Sequence, residues 1–236
     1  MENKTTLNHI IYDILGTLRG GTLGGIEDDD LLLADHVKFK VHNTRAYLIR
    51  QDLNKGNAIS DNILQSLCCV EMQIVNSSEC PELPSDCKIY RSILEIPQFL
   101  ETDFSDTIIS VRNSDILADT FSVMSMSRAV QATKYPGRVK IKGSIAFFKS
   151  RYLYVINYPK LLKYVCLDAV YDNPEEVWNF QVTSGVQCEP VEQRYPISQW
   201  MIKPLSDIIV DYFRKGIQGT DGRNDNELKL EPTAGN

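Results

Sequence analysis

The sequence predicts an α+β fold. An N-terminal helical hairpin and a C-terminal helix pack together, and an antiparallel β domain, a sandwich or a meander, is inserted between them. Three observations carry this reading. Apolar residues recur at helical spacing from Thr6 to Arg19 and again from Asp28 to Gly56. The pattern then changes to short alternating runs, which reach to about residue 190. After Ser198 the helical period returns. The parts so defined are residues 1–60 with 198–216, helical; 62–190, antiparallel β; and 217–236, a flexible C-terminal tail.

In the first helix Leu7, Ile10, Ile11, Ile14, Leu15 and Leu18 keep the i, i+3, i+4 pattern without a miss. Thr5 or Thr6 supplies an N-cap, and Gly20-Gly21 a stop. The glycine-rich stretch GGTLGG then lets the chain fold back. The second helix carries the stripe Leu33, Ala34, Val37, Val41 and Leu48, with Thr44 filling the gap. Asp28, Asp29 and Asp30 suit its N-terminus and Gly56 its end. Its other face is cationic: Lys38, Lys40, Arg45, Arg50 and Lys55 oppose one acid, Asp52. A solvated helix face explains this pattern, and so does a contact with an acidic neighbour. Because the three aspartates lie on the same rod, they reach such cations only on a second copy. That is a head-to-tail contact.

Further on, Ile63 to Val75, Thr107 to Arg112, Phe121 to Ser127, Val139 to Phe148, Tyr152 to Ile156 and Tyr164 to Tyr171 read as strands. Asp172 to Trp178 reads as a turn entering one helical turn at Pro174. Ser198 caps the last helix, which holds Met201, Leu205, Ile208, Ile209, Tyr212 and Phe213 and stops at Gly216. The final residues lose both periodicity and aromatics.

Composition narrows the function. The 236 residues hold 43% hydrophobic residues, enough for a core, and carry a formal net charge of −6. An acidic chain is unsuited to coating nucleic acid tightly. No apolar run approaches the roughly 20 residues needed to span a bilayer, and the N-terminus lacks a secretory pattern. The expectation is a soluble protein made inside a cell. The six cysteines form no C-x-x-C pair. The three histidines, His9, His36 and His42, all fall on the first two helices. There is no G-x-S-x-G elbow, Walker loop or G-x-G-x-x-G, and the triple aspartate lacks the spacing of a calcium loop. The sequence therefore predicts no catalytic residue, no metal and no cofactor.

Three stretches together resemble a family: HNTRAYLIRQDLNKG from His42, RYLYVINYPKLLKYVCLDAVYDNPEEV from Arg151, and YPISQWMIKPLSDII from Tyr195. They are similar to virion structural proteins of the crAss-like tailed bacteriophages, the ring proteins between portal and tail. The likeness runs from about Thr5 to Phe213. It implies a non-enzymatic head-to-tail connector protein in the virion, made in the host bacterial cytoplasm. It implies a homo-oligomeric ring, commonly of twelve copies, stacked on the portal and on neighbouring tail proteins. DNA passes through the bore without sequence-specific binding, and no membrane is involved. The residues expected at the interfaces are Lys38, His42, Arg45 and Arg50, meeting Asp28, Asp29 and Asp30 or another acidic surface, with Leu228 and Leu230 of the tail laid on a partner. Two readings compete with this one: a small host-interaction or ligand-binding module, and an accessory phage enzyme.

Overall fold

The computed structural model describes residues 5–19, 28–84, 87–103, 107–114, 120–135, 143–183 and 194–224. In chain order these form α1 (Leu7–Leu18), α2 (Asp28–Asn54), β1 (Gln65–Val75), a 3-10 turn (Ser77–Glu79), β2 (Ile89–Ser92), β3 (Ile108–Asn113), β4 (Ser122–Val123), α3 (Met126–Lys134), β5 (Ile145–Lys149), β6 (Tyr152–Ile156), β7 (Tyr164–Ala169), α4 (Pro174–Thr183) and α5 (Gln199–Asn224). They make two compact units, Met1–Leu48 with Glu192–Asn236, and Ile49–Val191. The division falls inside α2, between Leu48 and Ile49.

The first unit is helical. Thr6 caps α1 by accepting from His9 N at 3.3 Å; of the predicted stripe, Leu7, Ile10, Ile11, Ile14 and Leu15 are buried and Leu18 is half-buried. The turn that would make α1 and α2 a hairpin, residues 20–27, lies outside the described residues. Helix α2 has 27 residues, about 40 Å at about 1.5 Å each. It ends as its sequence requires, with Gly56 in the left-handed region at φ +82° donating to Leu53 O. Helix α5 does not stop at Gly216. It continues to Asn224, since one glycine costs a helix only about 1 kcal/mol. Pro204 is accommodated inside the helix, six residues from Ser198.

The second unit is built on one seven-stranded sheet in the order β3-β7-β1-β2-β6-β5-β4. Every pairing is antiparallel except β4 with β5, which is parallel. The expectation of an all-antiparallel sandwich or meander is corrected accordingly. The two ends of the order meet. Phe121 N donates to Val111 O at 2.7 Å, and Arg112 bridges Thr120. The sheet thus closes into a barrel. Its interior holds Leu67, Val70, Tyr90, Val111, Leu153, Val155, Val165 and Leu167, joined by Val177 and Phe180 of α4. The alternate residues Ile89, Ile145, Phe147, Tyr154 and Ile156 face a second cluster with Ala129 and Ala132 of α3.

Two further elements differ from their predicted type or length. Phe121 to Ser127 is not one strand, because Ser125 accepts from Arg128 N and starts α3. On α3 Ala129 and Ala132 are buried, with Met126 and Val130 packed beside them, and the alternation of Phe121 and Val123 runs directly into that helical spacing. Helix α4 runs for 10 residues rather than one turn. Strand β1 contains an irregularity. Leu67 pairs Leu167 and Val70 pairs Val165, so Cys68 and Cys69 together face Cys166. Cys69 sits at φ +66°. This bulge lets Leu67 and Val70, three apart, both point into the core.

Leu167 of β7 is fully buried in this core. Leu167→Ala is expected to cost about 2–5 kcal/mol in urea unfolding, whereas Ile109→Ala, at a half-exposed position, shifts stability by no more than about 0.5 kcal/mol.

Candidate functional site

The predicted cationic face of α2 divides when the side chains are placed. Arg50 is exposed, and its Nε donates to Glu101 O at 2.8 Å. Lys38 is half-buried. His42 and Arg45 are buried, Arg45 completely. The expectation that Lys38, His42 and Arg45 share a face turned away from the core is therefore corrected. Arg45, and not Thr44, fills the gap in the apolar stripe: it stands four residues after Val41 and three before Leu48. The series His42, Ala46, Ile49 and Leu53 widens the same buried face. That spacing was readable in the sequence, but charge concealed it.

The reason is a short segment before α5. Tyr195, Pro196, Ile197 and Ser198 are all buried. Arg45 Nε donates to Pro196 O at 2.6 Å, and its guanidinium lies 5.8 Å from the Tyr195 ring centre. Nδ1 of His42 and the Tyr195 hydroxyl share a hydrogen bond of 2.9 Å. Tyr195 N donates to Thr5 O. A charge-assisted bond of this kind is stronger than a neutral one and suits a charge removed from water. Among the other predicted interface residues, Asp28, Asp29 and Asp30 form the first turn of α2, and their side chains lie outside the described residues. Leu228 and Leu230 also lie outside them.

The outer face of β1, β7 and β3 carries two polar rows. Asp168 stands opposite Ser66 on one neighbour and Ser110 on the other, and each hydroxyl donates to it at 2.6 Å. Arg112 Nε lies 3.4 Å away. Burial alone would push the Asp168 carboxyl up, but the bonds from Ser110 and Ser66 together with the Arg112 charge outweigh it and hold the group below its usual range. The adjoining row is Cys68, Cys166 and Arg112. Burial, and then the neighbouring Cys166 thiol, push the Cys68 thiol up to about 12. A carboxylate locked ionised and a thiol locked protonated make a poor base and a poor nucleophile at neutral pH. Their work is to tie three strands together. Among the described residues, no group of three or more His, Cys, Asp or Glu is placed to hold a metal, and no helix is long and apolar enough to cross a membrane.

What the surface does offer is large apolar side chains. On the helical unit Tyr12, Phe39, Tyr47, Trp200 and Tyr212 are each at least half exposed. A groove of about 210 Å³ runs beside Tyr47, Ile208 and Tyr212, with Lys40 Nζ 3.8 Å above the Tyr212 ring. On the β unit a shallow pocket of about 470 Å³ lies beside Ile93, Leu94 and Phe180. Arg151 at its rim pairs with Glu95 and Glu176. Exposed aromatic groups of this size are typical of the class of proteins that works through contacts.

That class can be made definite. A family model described as phage tail ring protein 2, of the crAss-like phages, matches residues 9–227. The chain belongs to this family of crAss-like phage ring proteins, and it is a phage tail ring structural protein. The search of the curated proteins gives no match.

Two outcomes follow from the buried groups. Arg45→Ala is expected to cost about 2–4 kcal/mol in denaturant unfolding, from the lost bond to a charged group and the space left behind. Arg45→Lys falls between it and the wild type, because an ammonium lacks the guanidinium fork. Asp168 has a folded value below its unfolded one, so its contribution is present above the ordinary carboxylate value of about 4 and is lost as pH falls through the folded value. The melting-temperature gap between wild type and Asp168→Asn should be constant near neutrality and close as pH falls below about 4.

Proposed function

We propose that this chain forms a ring in the head-to-tail connector of the virion, between portal and tail, through which the genome passes. The observation that carries the reading is the family match over residues 9–227, nearly the whole chain. A ring needs lateral contacts between identical copies, and the exposed aromatics of the helical unit supply suitable groups. In this reading Phe39, Tyr47 and Trp200 make the lateral contact, with Lys38, Arg50 and the Asp28–Asp30 end of α2 adding charge around it. His42 and Arg45 act only by holding α2 and the 195–198 segment together. The residues after Asn224, with Leu228 and Leu230, reach a neighbouring protein. The ring has the twelve copies common to such connectors and is assembled in the host cytoplasm. The net charge of −6 repels phosphates weakly and favours passage of DNA over retention.

Assembly onto the purified portal, followed by electron microscopy and by mass measurement, tests this. The wild-type chain should add to the portal as a closed ring, and the Phe39→Asp, Trp200→Asp double variant should remain unassembled while melting like the wild type. A chain that stays monomeric with the portal at every concentration, or a double variant that assembles normally, would overturn it.

A further inference from the structure

Helix α1 has a second face. Its stripe Leu7, Ile10, Ile11, Ile14 and Leu15 is buried, and the helix packs on α5. At about 3.6 residues per turn the opposite face holds His9, Tyr12, Asp13 and Gly16. His9, Tyr12 and Asp13 are exposed. Tyr12, at 66%, is the most exposed large apolar side chain among the described residues. Gly16 stands one turn further on. Its φ is not positive, and a Cβ there would meet no atom of a neighbouring element within 4 Å. Glycine weakens a helix interior relative to alanine, so neither backbone angle nor packing within the subunit accounts for this one. A missing side chain does let another chain approach closely. On the same unit, α2 and α5 bound the groove of about 210 Å³. Tyr47, Ile208 and Tyr212 form its apolar walls, Lys40 and Asn43 add polar groups, and no residue of α1 lines it. The α1 face and the groove are thus different patches of one unit. A ring closes through such a pair of unlike patches, whereas a two-fold dimer uses one patch twice.

We propose that the outward face of α1 docks into the α2–α5 groove of a second copy of this chain, and that these two surfaces are the two halves of the lateral contact. The Tyr12 ring enters between Tyr47, Ile208 and Tyr212 of the next copy, an apolar body with a polar tip in an apolar cleft with a polar edge. Its hydroxyl meets the Asn43 amide. Asp13, beside Tyr12, pairs with Lys40, whose ammonium stands over the Tyr212 ring at the groove. Gly16 leaves room for the neighbouring helix to lie against α1. The family match to ring proteins makes the occupant another copy, and the opposite charges of Asp13 and Lys40 fix which way round the copies meet. This inference rests on the ring assignment and adds to it which two surfaces join.

The test places a photoreactive benzoyl-phenylalanine at position 12 of the full chain, mixes it with an excess of wild-type chain, and assembles both on the purified portal. Irradiation should give covalent dimers in which residue 12 is joined to a peptide holding residues 40–47 or 208–212. Two variants separate assembly from folding. Gly16→Ala should melt about 2–4 °C above the wild type. Gly16→Gln should melt no lower than the wild type yet fail to close rings. Rings with no link from residue 12 to that groove, a Gly16→Gln chain that assembles normally, or a Gly16→Ala chain that melts below the wild type would overturn this inference and leave the ring assignment standing. A wild-type chain that forms no ring with the portal would overturn both.

Discussion

The helical unit depends on a buried guanidinium. An ionised group removed from water is costly unless it is bonded where it lies, and Arg45 is fully buried on the core face of α2. The chain meets this cost with a carbonyl brought from far along the sequence. Pro196 O accepts from Arg45 across 151 residues, and the carbonyl is available because Pro196 precedes α5 and serves no helix. The same segment is held at other points as well, through the His42–Tyr195 hydrogen bond and the Tyr195–Thr5 backbone bond. Ser198 then begins α5. One stretch of four residues thus touches α2, adjoins the cap of α1 and starts α5. Removing the guanidinium leaves more than a gap in packing. It unfastens the point from which the C-terminal helix sets out.

In the β unit the corresponding constraint is register. Side chains alternate along a strand, so two inward residues three apart require one extra residue between them. The Cys68–Cys69 bulge supplies it, which lets β1 pair β7 with its first part and β2 with its second. The barrel can then close, with Phe121 bonded to Val111. Closure has a consequence for assembly. Open strand edges invite pairing with any other exposed strand, and a protein that must meet chosen neighbours gains from having its edges satisfied. Contacts of such a unit are left to its side chains and loops, where shape and chemistry decide the partner.

Much of the framework was legible in the sequence. Helix α1 followed from an unbroken apolar period, its cap was narrowed to Thr5 or Thr6, of which Thr6 serves, and the end of α2 followed from Gly56. The hairpin of β5 and β6 was visible as two alternating runs around Ser150-Arg151, both of which take positive φ. The misses have physical causes. Helix α3 is short, and the alternation of Phe121 and Val123 just before its Ser125 cap masks its own spacing of Met126, Ala129 and Val130. The parallel pairing of β4 with β5 is a tertiary choice between short segments, to which local pattern is blind. The row Ser66, Asp168 and Ser110 joins residues up to 102 apart and exists only once the register is set. Arg45 was misplaced for a sharper reason. Its spacing places it inside the stripe, while its charge argues for the surface. A buried partner in the distant YPIS segment reversed that balance.

The position of Arg45 also changes the energetics to be expected of the proposed ring. A lateral contact built on exposed cations and aspartates would draw on surface ion pairs, each contributing about 0–1 kcal/mol and weakened by salt. With His42 and Arg45 committed to the subunit's own core, the exposed groups of greatest contact value are aromatic. Burying one Phe-sized side chain contributes about 1.5–3 kcal/mol and needs no opposite charge. Such a contact persists at ionic strengths that would loosen a charged one. Charge then selects orientation and partner, as rim residues do at other interfaces, while apolar area provides the holding energy. Motif searches read reaction chemistry, and nothing in this division of labour requires any. What identifies the protein is the placement of ordinary side chains on a particular frame, and that placement becomes visible only when the frame is built.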